Sequence, residues 1–313
     1  MGWKVLISAP YFQPVVDRFA QVFTENDIEL IVPQVTERMS EAELLEIIGD
    51  IDGVISGDDH FSAEVLSQGK KLKVISKWGT GIDSIDQVAA ARLGIAVRNT
   101  PNAFTMPVAD SALSYILSFA RQTPWMDCDI RNGNWQKRPG VSLQECALGV
   151  IGVGNIGKAV VRRAVAFGMR VLGADIIEVP DSFIAETGLE VLSKEALLKK
   201  ADFVSLNCTL DSESYHIVDR QALEWMKPTA YLVNTARGQL IDEKALVAAL
   251  LDGQIAGAGM DVFEEEPLPA NSPLREMENC LFAPHNSNSS PIAWERVHQS
   301  TLNNLLEELN KAS

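Results

Sequence analysis

The stretch Leu148-Gly149-Val150-Ile151-Gly152-Val153-Gly154-Asn155-Ile156-Gly157 decides the fold of the sequence around it. Its first four residues are an apolar run typical of a buried strand, and residues 158–167 have the spacing of a helix. A strand, a Gly-x-Gly-x-x-Gly loop and a helix in this order predict a dinucleotide-binding turn. In such a turn Gly152 permits the bend, Gly154 allows a pyrophosphate to approach, and Gly157 lets the helix pack on the sheet.

The residues beside this turn favour NAD over NADP as the dinucleotide. The backbone N–H groups of Asn155 and Ile156 lie at the predicted start of the helix, where the helix dipole favours phosphate. Asp175 lies 18 residues after Gly157, at the end of the next predicted strand, where a carboxylate accepts hydrogen bonds from the adenosine ribose. The same carboxylate repels a 2′-phosphate, and Ile176-Ile177 supplies no arginine to bind one.

Predicted strands alternate with helix-like stretches along almost the whole chain. The predicted strands are residues 4–8, 29–32, 53–56, 73–77, 96–98, 147–151, 170–174, 203–206, 231–234, 256–260 and 281–283. The predicted helices include residues 14–25, 40–48, 62–68, 105–121 and 294–309. Such alternation is typical of parallel α/β architecture. We therefore predict an α/β fold with two doubly wound parallel-sheet domains, one of them a Rossmann NAD-binding domain.

Two turn-like breaks set the predicted domain boundaries. The first is Asn99-Thr100-Pro101-Asn102, and the second is residues 284–291, which begin and end with proline. We expect residues 1–100 to form the first segment of a substrate domain and residues 101–287 to form the NAD-binding domain. Residues 288–313 are expected to return to the substrate domain, which is then discontinuous and flavodoxin-like.

Composition excludes several classes of function. The formal net charge of −15 argues against nucleic acid, whose phosphates need a basic face. No apolar run approaches the ~20 residues that span a bilayer, and the start of the chain reads as a strand. Four scattered cysteines without a C-x-x-C pair predict reduced thiols and neither a disulfide frame nor a metal site. We expect a cytoplasmic enzyme that binds no nucleic acid, membrane or metal.

Three residues late in the chain supply chemically active groups. They are Arg237, Glu266 and His285, and all lie downstream of the glycine-rich loop. An imidazole titrates near neutral pH and suits proton donation, while a guanidinium binds a carboxylate or an oxyanion through charge-assisted hydrogen bonds. Together with a bound dinucleotide, these groups form the set that moves a hydride and a proton onto the carbonyl of a 2-oxo acid.

A series of short motifs, in a fixed order, carries a resemblance to a known family. These motifs are Trp78-Gly79-Thr80-Gly81-Ile82-Asp83, Asn99-Thr100-Pro101, Val108-Ala109-Asp110, the glycine-rich loop, Met226-Lys227-Pro228, Val233-Asn234-Thr235-Ala236-Arg237-Gly238, residues 261–267 and Pro284-His285. With them the chain resembles the D-isomer-specific 2-hydroxyacid dehydrogenases over nearly its full length. It is most similar to D-3-phosphoglycerate dehydrogenases without an extra C-terminal regulatory domain.

The resemblance implies a role for each chemical residue. His285 would donate a proton to the carbonyl oxygen as the hydride arrives, and Glu266 would pair with His285 and orient its ring. Arg237 would bind the substrate carboxylate or the developing oxyanion. Glu266 is chosen over Glu264 and Glu265 because the family's glutamate immediately precedes a proline.

The resemblance also implies which other residues bind the cofactor and the substrate. Asp261 would reach the nicotinamide amide. Besides the glycine-rich loop and Asp175, the implied NAD contacts are Thr80, Cys208, Thr209, Thr235, Ala236, Arg237, Asp261, His285 and Ser287. The implied substrate contacts are Lys77, Thr80, Gly81, Arg237 and His285. His60, His216 and His298 lack comparable neighbours in sequence and are expected on the surface or at helix caps.

Two segments depart from the family pattern. Asn207-Cys208-Thr209-Leu210-Asp211 stands where the family usually has His-x-Pro-Leu-Thr, and loss of the proline changes the stiffness of the loop. Asn286-Ser287-Asn288 replaces a run of apolar residues and glycine, which could place amide side chains near the cofactor or the substrate.

The identity of the substrate stays open at this stage. An anionic substrate must find a local positive pocket in so acidic a protein, and a phosphorylated one needs cations beyond Arg237. Lys77, Lys137 and Arg138 are candidates, but Asp58-Asp59 would weaken phosphate binding. D-3-phosphoglycerate is the first expectation, with glyoxylate, hydroxypyruvate or another small 2-oxo acid as alternatives.

Other functions are compatible with the same motifs. A redox-sensing binding protein, as in the C-terminal-binding corepressors, would keep Arg237, Glu266 and His285. Formate or phosphite dehydrogenation on this scaffold is a further alternative within enzymes. The predicted helix at residues 105–121 is expected to join two cofactor domains in a homodimer, as it does in relatives.

Overall fold

Five parallel strands form the sheet of the first of two units in the computed structural model, which describes residues 2–312. The strands are β1 (Trp3–Ile7), β2 (Ile28–Ile31), β3 (Gly53–Ser56), β4 (Val74–Lys77) and β5 (Ala96–Arg98). Their order across the sheet is β2-β1-β3-β4-β5, the order of flavodoxin-like folds. The predicted fold class of this domain is confirmed.

Seven parallel strands form the sheet of the second unit. They are β6 (Ala147–Ile151), β7 (Arg170–Ala174), β8 (Glu190–Val191), β9 (Phe203–Leu206), β10 (Tyr231–Asn234), β11 (Gly257–Met260) and β12 (Cys280–Phe282). Their order is β12-β11-β10-β9-β6-β7-β8, so the chain reverses direction across the sheet between β6 and β9, as in a Rossmann fold. The predicted Rossmann class is confirmed.

The structure also gives the helices, many of which begin with a polar cap. They are α1 (Ala20–Glu25), α2 (Glu41–Ile47), α3 (Ala63–Gln68), α4 (Gln87–Leu93), α5 (Thr105–Arg121), α6 (Thr123–Arg131), α7 (Asn155–Ala166), α8 (Asp181–Thr187), α9 (Lys194–Lys200), α10 (Arg220–Trp225), α11 (Glu243–Leu251) and α12 (Pro291–Ala312). Ser40, for example, accepts the Glu43 backbone N–H, and Glu43 accepts the Ser40 backbone N–H in return. Such a capping box satisfies two groups that the first turn would otherwise leave unpaired.

The first unit takes residues from both halves of the chain. It comprises the described residues up to Phe104 together with those from Ser290 onward, and the second unit is Thr105–Ser289. Helix α12 packs on the sheet of the first unit, where the Ser76 hydroxyl donates to the Thr301 carbonyl at 2.7 Å. The sequence placed the corresponding boundaries after residues 100 and 287.

Strands of both sheets are buried on their two faces, as parallel sheets covered by helices require. Every residue of β3, β4, β6, β9 and β11 is buried. Among the described residues, no helix combines the length and the apolar character needed to cross a membrane.

Candidate active site

The glycine-rich loop joins β6 to α7, and two of its three glycines are required by close contacts within the protein. Gly152 has a φ of 88°, and a Cβ there would lie 2.5 Å from the Cys208 backbone nitrogen. A Cβ on Gly157 would lie 2.0 Å from the Gly152 carbonyl oxygen. Gly154, by contrast, has no atom within 4 Å of its Cβ position, so this glycine faces open space. An open backbone at the start of a helix fits a pyrophosphate.

Asp175 follows β7 and lies directly beside the glycine-rich loop. Its Oδ2 accepts the Val153 backbone N–H at 2.5 Å, and its Oδ1 accepts the Ile177 backbone N–H at 2.9 Å. The residue is exposed, as are Ile176 and Ile177. A fixed, exposed carboxylate at this strand end suits the hydroxyl groups of an adenosine ribose.

Three buried polar atoms along the carboxyl edge of the same sheet have no hydrogen-bond partner among the described residues. They are Asn207 Oδ1 after β9, Thr235 Oγ1 after β10 and Ser287 Oγ after β12. Buried polar atoms are normally paired, so these three indicate that a polar ligand completes the edge. They fit a dinucleotide that extends along the carboxyl ends of the strands.

Cys208 and Thr209, also predicted to line the adenosine, lie in this neighbourhood. Cys208 is half-buried against Gly152, and burial raises the pKa of its thiol to about 11. Thr209 is exposed, and its carbonyl accepts the Ser214 hydroxyl at 2.7 Å.

Asn234 holds the turn that carries Arg237. Its side chain is fully buried at the end of β10, donates to the Arg237 carbonyl at 2.8 Å, and accepts the Ala236 backbone N–H at 3.0 Å. Arg237 itself is half-buried, and one guanidinium nitrogen donates to the Ala236 carbonyl at 2.8 Å. Asn234 was not predicted as a site residue, although it lies within the quoted motif.

The loop that carries Glu266 packs directly on the Arg237 turn. A Cβ on Gly238 would lie 1.9 Å from the Phe263 carbonyl atoms, so the two backbones touch and only glycine fits. Within the loop, Glu266 Oε1 accepts the Phe263 backbone N–H at 2.9 Å. This contact orients the carboxylate and leaves its other oxygen for the imidazole.

His285 meets Glu266 through its Nδ1 atom. The distance from His285 Nδ1 to Glu266 Oε2 is 3.0 Å, and the two side chains are 22% and 19% exposed. Nε2 is therefore the ring nitrogen that Glu266 does not engage, and it can serve a substrate. The structure thus places the predicted imidazole–carboxylate pair and the Arg237 turn in one unit.

Asp261 fixes the backbone at His285. Its own carbonyl accepts the His285 N–H at 2.7 Å, while its carboxylate oxygens accept the N–H groups of Asn286 and Ser287, each at 2.8 Å. His285 has a φ of 50°, a conformation that few residues adopt without such support. The Asp261 carboxylate was predicted to reach the nicotinamide amide, and here it holds the backbone of the loop that carries His285.

The predicted substrate residues Lys77, Thr80 and Gly81 belong to the first unit. Thr80 is exposed, and its hydroxyl donates to the Thr100 carbonyl at 3.0 Å. Gly81 is half-buried. The Lys77 side chain is only 5% exposed, and its ammonium group pairs with Asp58 at 2.9 Å.

Two histidines that were expected on the surface have specific partners. His216 Nε2 lies 2.5 Å from Glu264 Oε1, and the His216 ring stacks on Tyr215. His298 is buried, and its Nδ1 accepts the Trp78 indole N–H at 3.0 Å. The expectation was wrong for His298, which is buried within α12. His216 is half-exposed, and its pairing was not anticipated because Glu264 is distant in sequence.

The other candidate cations lie in an exposed segment. Lys137 is exposed, and Arg138 pairs with Asp129 at 2.6 Å. Over residues 2–312, no group of three or more His, Cys, Asp or Glu side chains could hold a metal ion.

Comparison with known proteins decides the family. The NAD-binding domain of the D-isomer specific 2-hydroxyacid dehydrogenases matches residues 113–287. A glyoxylate reductase of Korarchaeum cryptofilum is 40% identical over 274 residues, which are 85% of this chain and 82% of that protein. The chain belongs to the D-isomer specific 2-hydroxyacid dehydrogenase family. The resemblance predicted from the motifs is confirmed, and so is NAD as the cofactor.

Two further members of the family show how broad the match is. A D-3-phosphoglycerate dehydrogenase of Methanocaldococcus jannaschii is 37% identical over 294 residues, which are 93% of this chain but 54% of that protein. The crystal structure of the Aquifex aeolicus D-lactate dehydrogenase with NAD and lactic acid superposes with a TM-score of 0.88 at 25% identity. That match covers 99% of this chain and 96% of the other. The chain is therefore an NAD-dependent dehydrogenase of this family.

Proposed function

We propose that the protein interconverts a short D-2-hydroxy acid and its 2-oxo acid, with NAD as the hydride carrier. The observation that supports this most is the 3.0 Å contact between His285 Nδ1 and Glu266 Oε2. It lies in the same unit as the Arg237 turn and the glycine-rich loop. An acid–base pair, a cation and a dinucleotide cradle are what reduction of a 2-oxo acid requires.

Each side chain has a distinct task in the proposed reaction. When bound, the nicotinamide supplies a hydride to C2 of the 2-oxo acid or accepts one from C2 of the 2-hydroxy acid. His285 donates a proton from Nε2 to the carbonyl oxygen in reduction and takes it back in oxidation. Glu266 stabilises the protonated ring and orients it so that Nδ1 faces the Glu266 carboxylate. Arg237 binds the carboxylate or the developing oxyanion with charge-assisted hydrogen bonds.

Cofactor and substrate contacts complete the proposal. The N–H groups of Asn155 and Ile156 bind the pyrophosphate and Asp175 binds the ribose. The remaining cofactor contacts are Thr80, Cys208, Thr209, Thr235, Ala236, Asp261 and Ser287. In the first unit, the backbone of Thr80 and Gly81 binds the substrate carboxylate.

The sequence, the names of the relatives and one ion pair all bear on which 2-oxo acid is the substrate. D-3-phosphoglycerate was the first expectation from the sequence, and the name of the Methanocaldococcus relative agrees with it. The name of the Korarchaeum relative instead favours glyoxylate. The ion pair of the buried Lys77 with Asp58 also favours an unphosphorylated acid such as glyoxylate or hydroxypyruvate. A screen of NADH oxidation with these acids, pyruvate and 3-phosphohydroxypyruvate measures the preference.

The assigned roles are tested by removing one side chain at a time. Arg237→Ala and His285→Ala are expected to abolish turnover of every 2-oxo acid, while NADH binding measured by fluorescence titration largely survives. His60→Ala, an exposed histidine in the first unit, is the matched control and keeps wild-type turnover. Near-normal turnover by Arg237→Ala and His285→Ala would reject the roles.

We further propose a cytoplasmic homodimer, joined through α5 and the segment after it. Several large apolar side chains there are exposed, including Met106, Ile130 and Trp135, which is 90% exposed. Exposed apolar side chains of this size commonly mark protein interfaces. The four cysteines are free thiols, as a reducing compartment allows. Light scattering that finds only a 34.2 kDa particle would contradict the dimer.

A further inference from the structure

An ion pair between a buried lysine and a partly exposed aspartate lies at the carboxyl ends of β3 and β4 in the first unit. Lys77 is the last residue of β4, and its ammonium nitrogen lies 2.9 Å from Asp58 Oδ1. The lysine side chain is 5% exposed, whereas that of Asp58 is 39% exposed. Of the two charged groups, the carboxylate is thus the more exposed to solvent.

The pair lies next to the loop proposed to bind the substrate carboxylate. Trp78-Gly79-Thr80-Gly81 follows Lys77 directly, and the Lys77 ammonium lies 4.0 Å from the Cβ position of Gly79. In open parallel sheets, ligands bind outside the carboxyl ends of the strands, near the place where the strand order reverses. In this sheet the order reverses between β1 and β3, and Asp58 follows β3.

The turn that carries Asp58 is held in place by its neighbour Asp59. The buried Asp59 carboxylate accepts the Ser8 hydroxyl at 2.5 Å and the backbone N–H groups of Met39 and Gly57 at 2.7 and 3.1 Å. These bonds tie the end of β3 to the end of β1 and to the segment before α2. The backbone at Asp58 is consequently held in a fixed position.

This arrangement disfavours a phosphate group close to the loop. A phosphate monoester is bound most strongly by a cation, and the Lys77 ammonium is buried and already paired. A dianion that approached would also meet the exposed Asp58 carboxylate, and like charges repel more strongly beside a protein surface than in bulk water. A hydrogen atom or a hydroxymethyl group on the substrate carries no charge and meets neither penalty.

We infer that Asp58 is a specificity-determining residue that selects 2-oxo acids with an uncharged group on the carbonyl carbon, such as hydrogen or hydroxymethyl, and rejects those that carry a phosphate ester there. Lys77 has the supporting role of holding the Asp58 carboxylate at the edge of the substrate loop. This inference rests on the proposed function and names the substrate class within it.

The test compares two substrates that differ only by a phosphate group, hydroxypyruvate and 3-phosphohydroxypyruvate. The measured quantity is the ratio of kcat/KM for the phosphorylated substrate to that for the unphosphorylated one. In the wild-type protein we expect a ratio below one. Asp58→Asn is expected to raise it by about tenfold or more, mainly through a lower KM for the phosphorylated substrate.

Two control variants separate charge from structure. Asp58→Glu keeps the carboxylate and is expected to keep the low ratio. Asp50→Asn removes a carboxylate of the same unit that pairs with Lys4 and Lys71, and it should leave the ratio unchanged. A ratio that rises equally in Asp50→Asn and Asp58→Asn would attribute the effect to net charge and overturn the inference.

The wild-type protein provides a measurement that needs no variant. Salt screens repulsion between a phosphate and an exposed carboxylate, so the ratio should rise between low and high ionic strength. A wild-type ratio above one, or a ratio that responds neither to salt nor to folded Asp58→Asn, overturns the inference while dehydrogenase activity stands. No NADH oxidation with any 2-oxo acid would reject the proposed function, and the inference with it.

Discussion

At the scale of the residue, Asp261 determines where the His285 imidazole lies. Its carboxylate accepts two successive backbone N–H groups, those of Asn286 and Ser287. Asp261→Asn would present an amide N–H to one of them, so the His285 loop would shift. We expect kcat to fall by about 10- to 100-fold, the cost of about one charge-assisted hydrogen bond. Steady-state kinetics check this against Asp252→Asn, an exposed carboxylate on the same unit that should keep full activity.

Individual residues also show what a sequence can and cannot predict. Arg237, Glu266 and His285 were predicted as site residues because each lies in a short local motif. The pairing of His216 with Glu264 was missed, because the two are far apart in sequence and meet only where His216 adopts a φ of 52°. Asp58 was noted for its charge, but its pairing with Lys77 depends on β3 and β4 being neighbours.

At the scale of the element, the junction of β6 and α7 makes different demands on two glycines. Gly157→Ala places a methyl group 2.0 Å from the Gly152 carbonyl, so we expect a lower Tm as well as weaker NADH binding. Gly154→Ala meets open space, so the Tm should stay near wild type while NADH binding weakens by about tenfold or more. Calorimetry and fluorescence titration separate the two effects. Unchanged NADH affinity in Gly154→Ala would argue against a pyrophosphate at this loop.

Elements differed in how well the sequence revealed them. Strands such as β6 and β9 were predicted to the residue, because they are continuous apolar runs buried on both faces. The edge strand β8 was not predicted, because two partly exposed residues are too few to show the alternation of apolar and polar residues that marks a strand. The helix predicted at residues 14–25 begins instead as a 3-10 helix, Gln13–Phe19, before α1. Residues 105–121 form α5 as predicted.

At the scale of the whole molecule, stability should depend on pH through His298. Burial lowers the pKa of His298 below its ordinary value of 6.5, with Glu295 opposing and Arg18 adding to the shift. Below pH 6.5 the unfolded chain therefore takes up the proton more readily than the folded chain, and stability is lost as the pH falls. Protonation of Nδ1 would also break the hydrogen bond from Trp78.

The expected loss is at most about 1.4 kcal/mol per pH unit from this one residue. His298→Gln keeps an acceptor for Trp78 and cannot titrate. The unfolding free energy of this variant should therefore fall less steeply than that of the wild type between about pH 7 and pH 5, the range in which the histidine takes up its proton. Chemical denaturation at several pH values gives both curves. Parallel curves would mean that His298 does not contribute.

The order of the strands in each sheet could be expected from the sequence only after the family resemblance had been drawn. Alternating strands and helices predict a parallel sheet, but they leave open which strands are neighbours. The seven-stranded order and the two-segment first unit depend on packing between distant residues. The contact of Gly53 with Leu305 is one example: a Cβ on Gly53 would lie 2.8 Å from a Leu305 methyl carbon.

That contact has a consequence for how the protein is made on the ribosome. Strands β1 to β5 are synthesised first, yet α12 covers β3 and β4 and is translated only after the whole second unit. The apolar face of the first sheet that α12 covers is therefore exposed during translation, whereas the second unit has all of its own residues and is free to fold. The five-stranded sheet is therefore completed only after the second unit has been translated, when the helix Pro291–Ala312 leaves the exit tunnel.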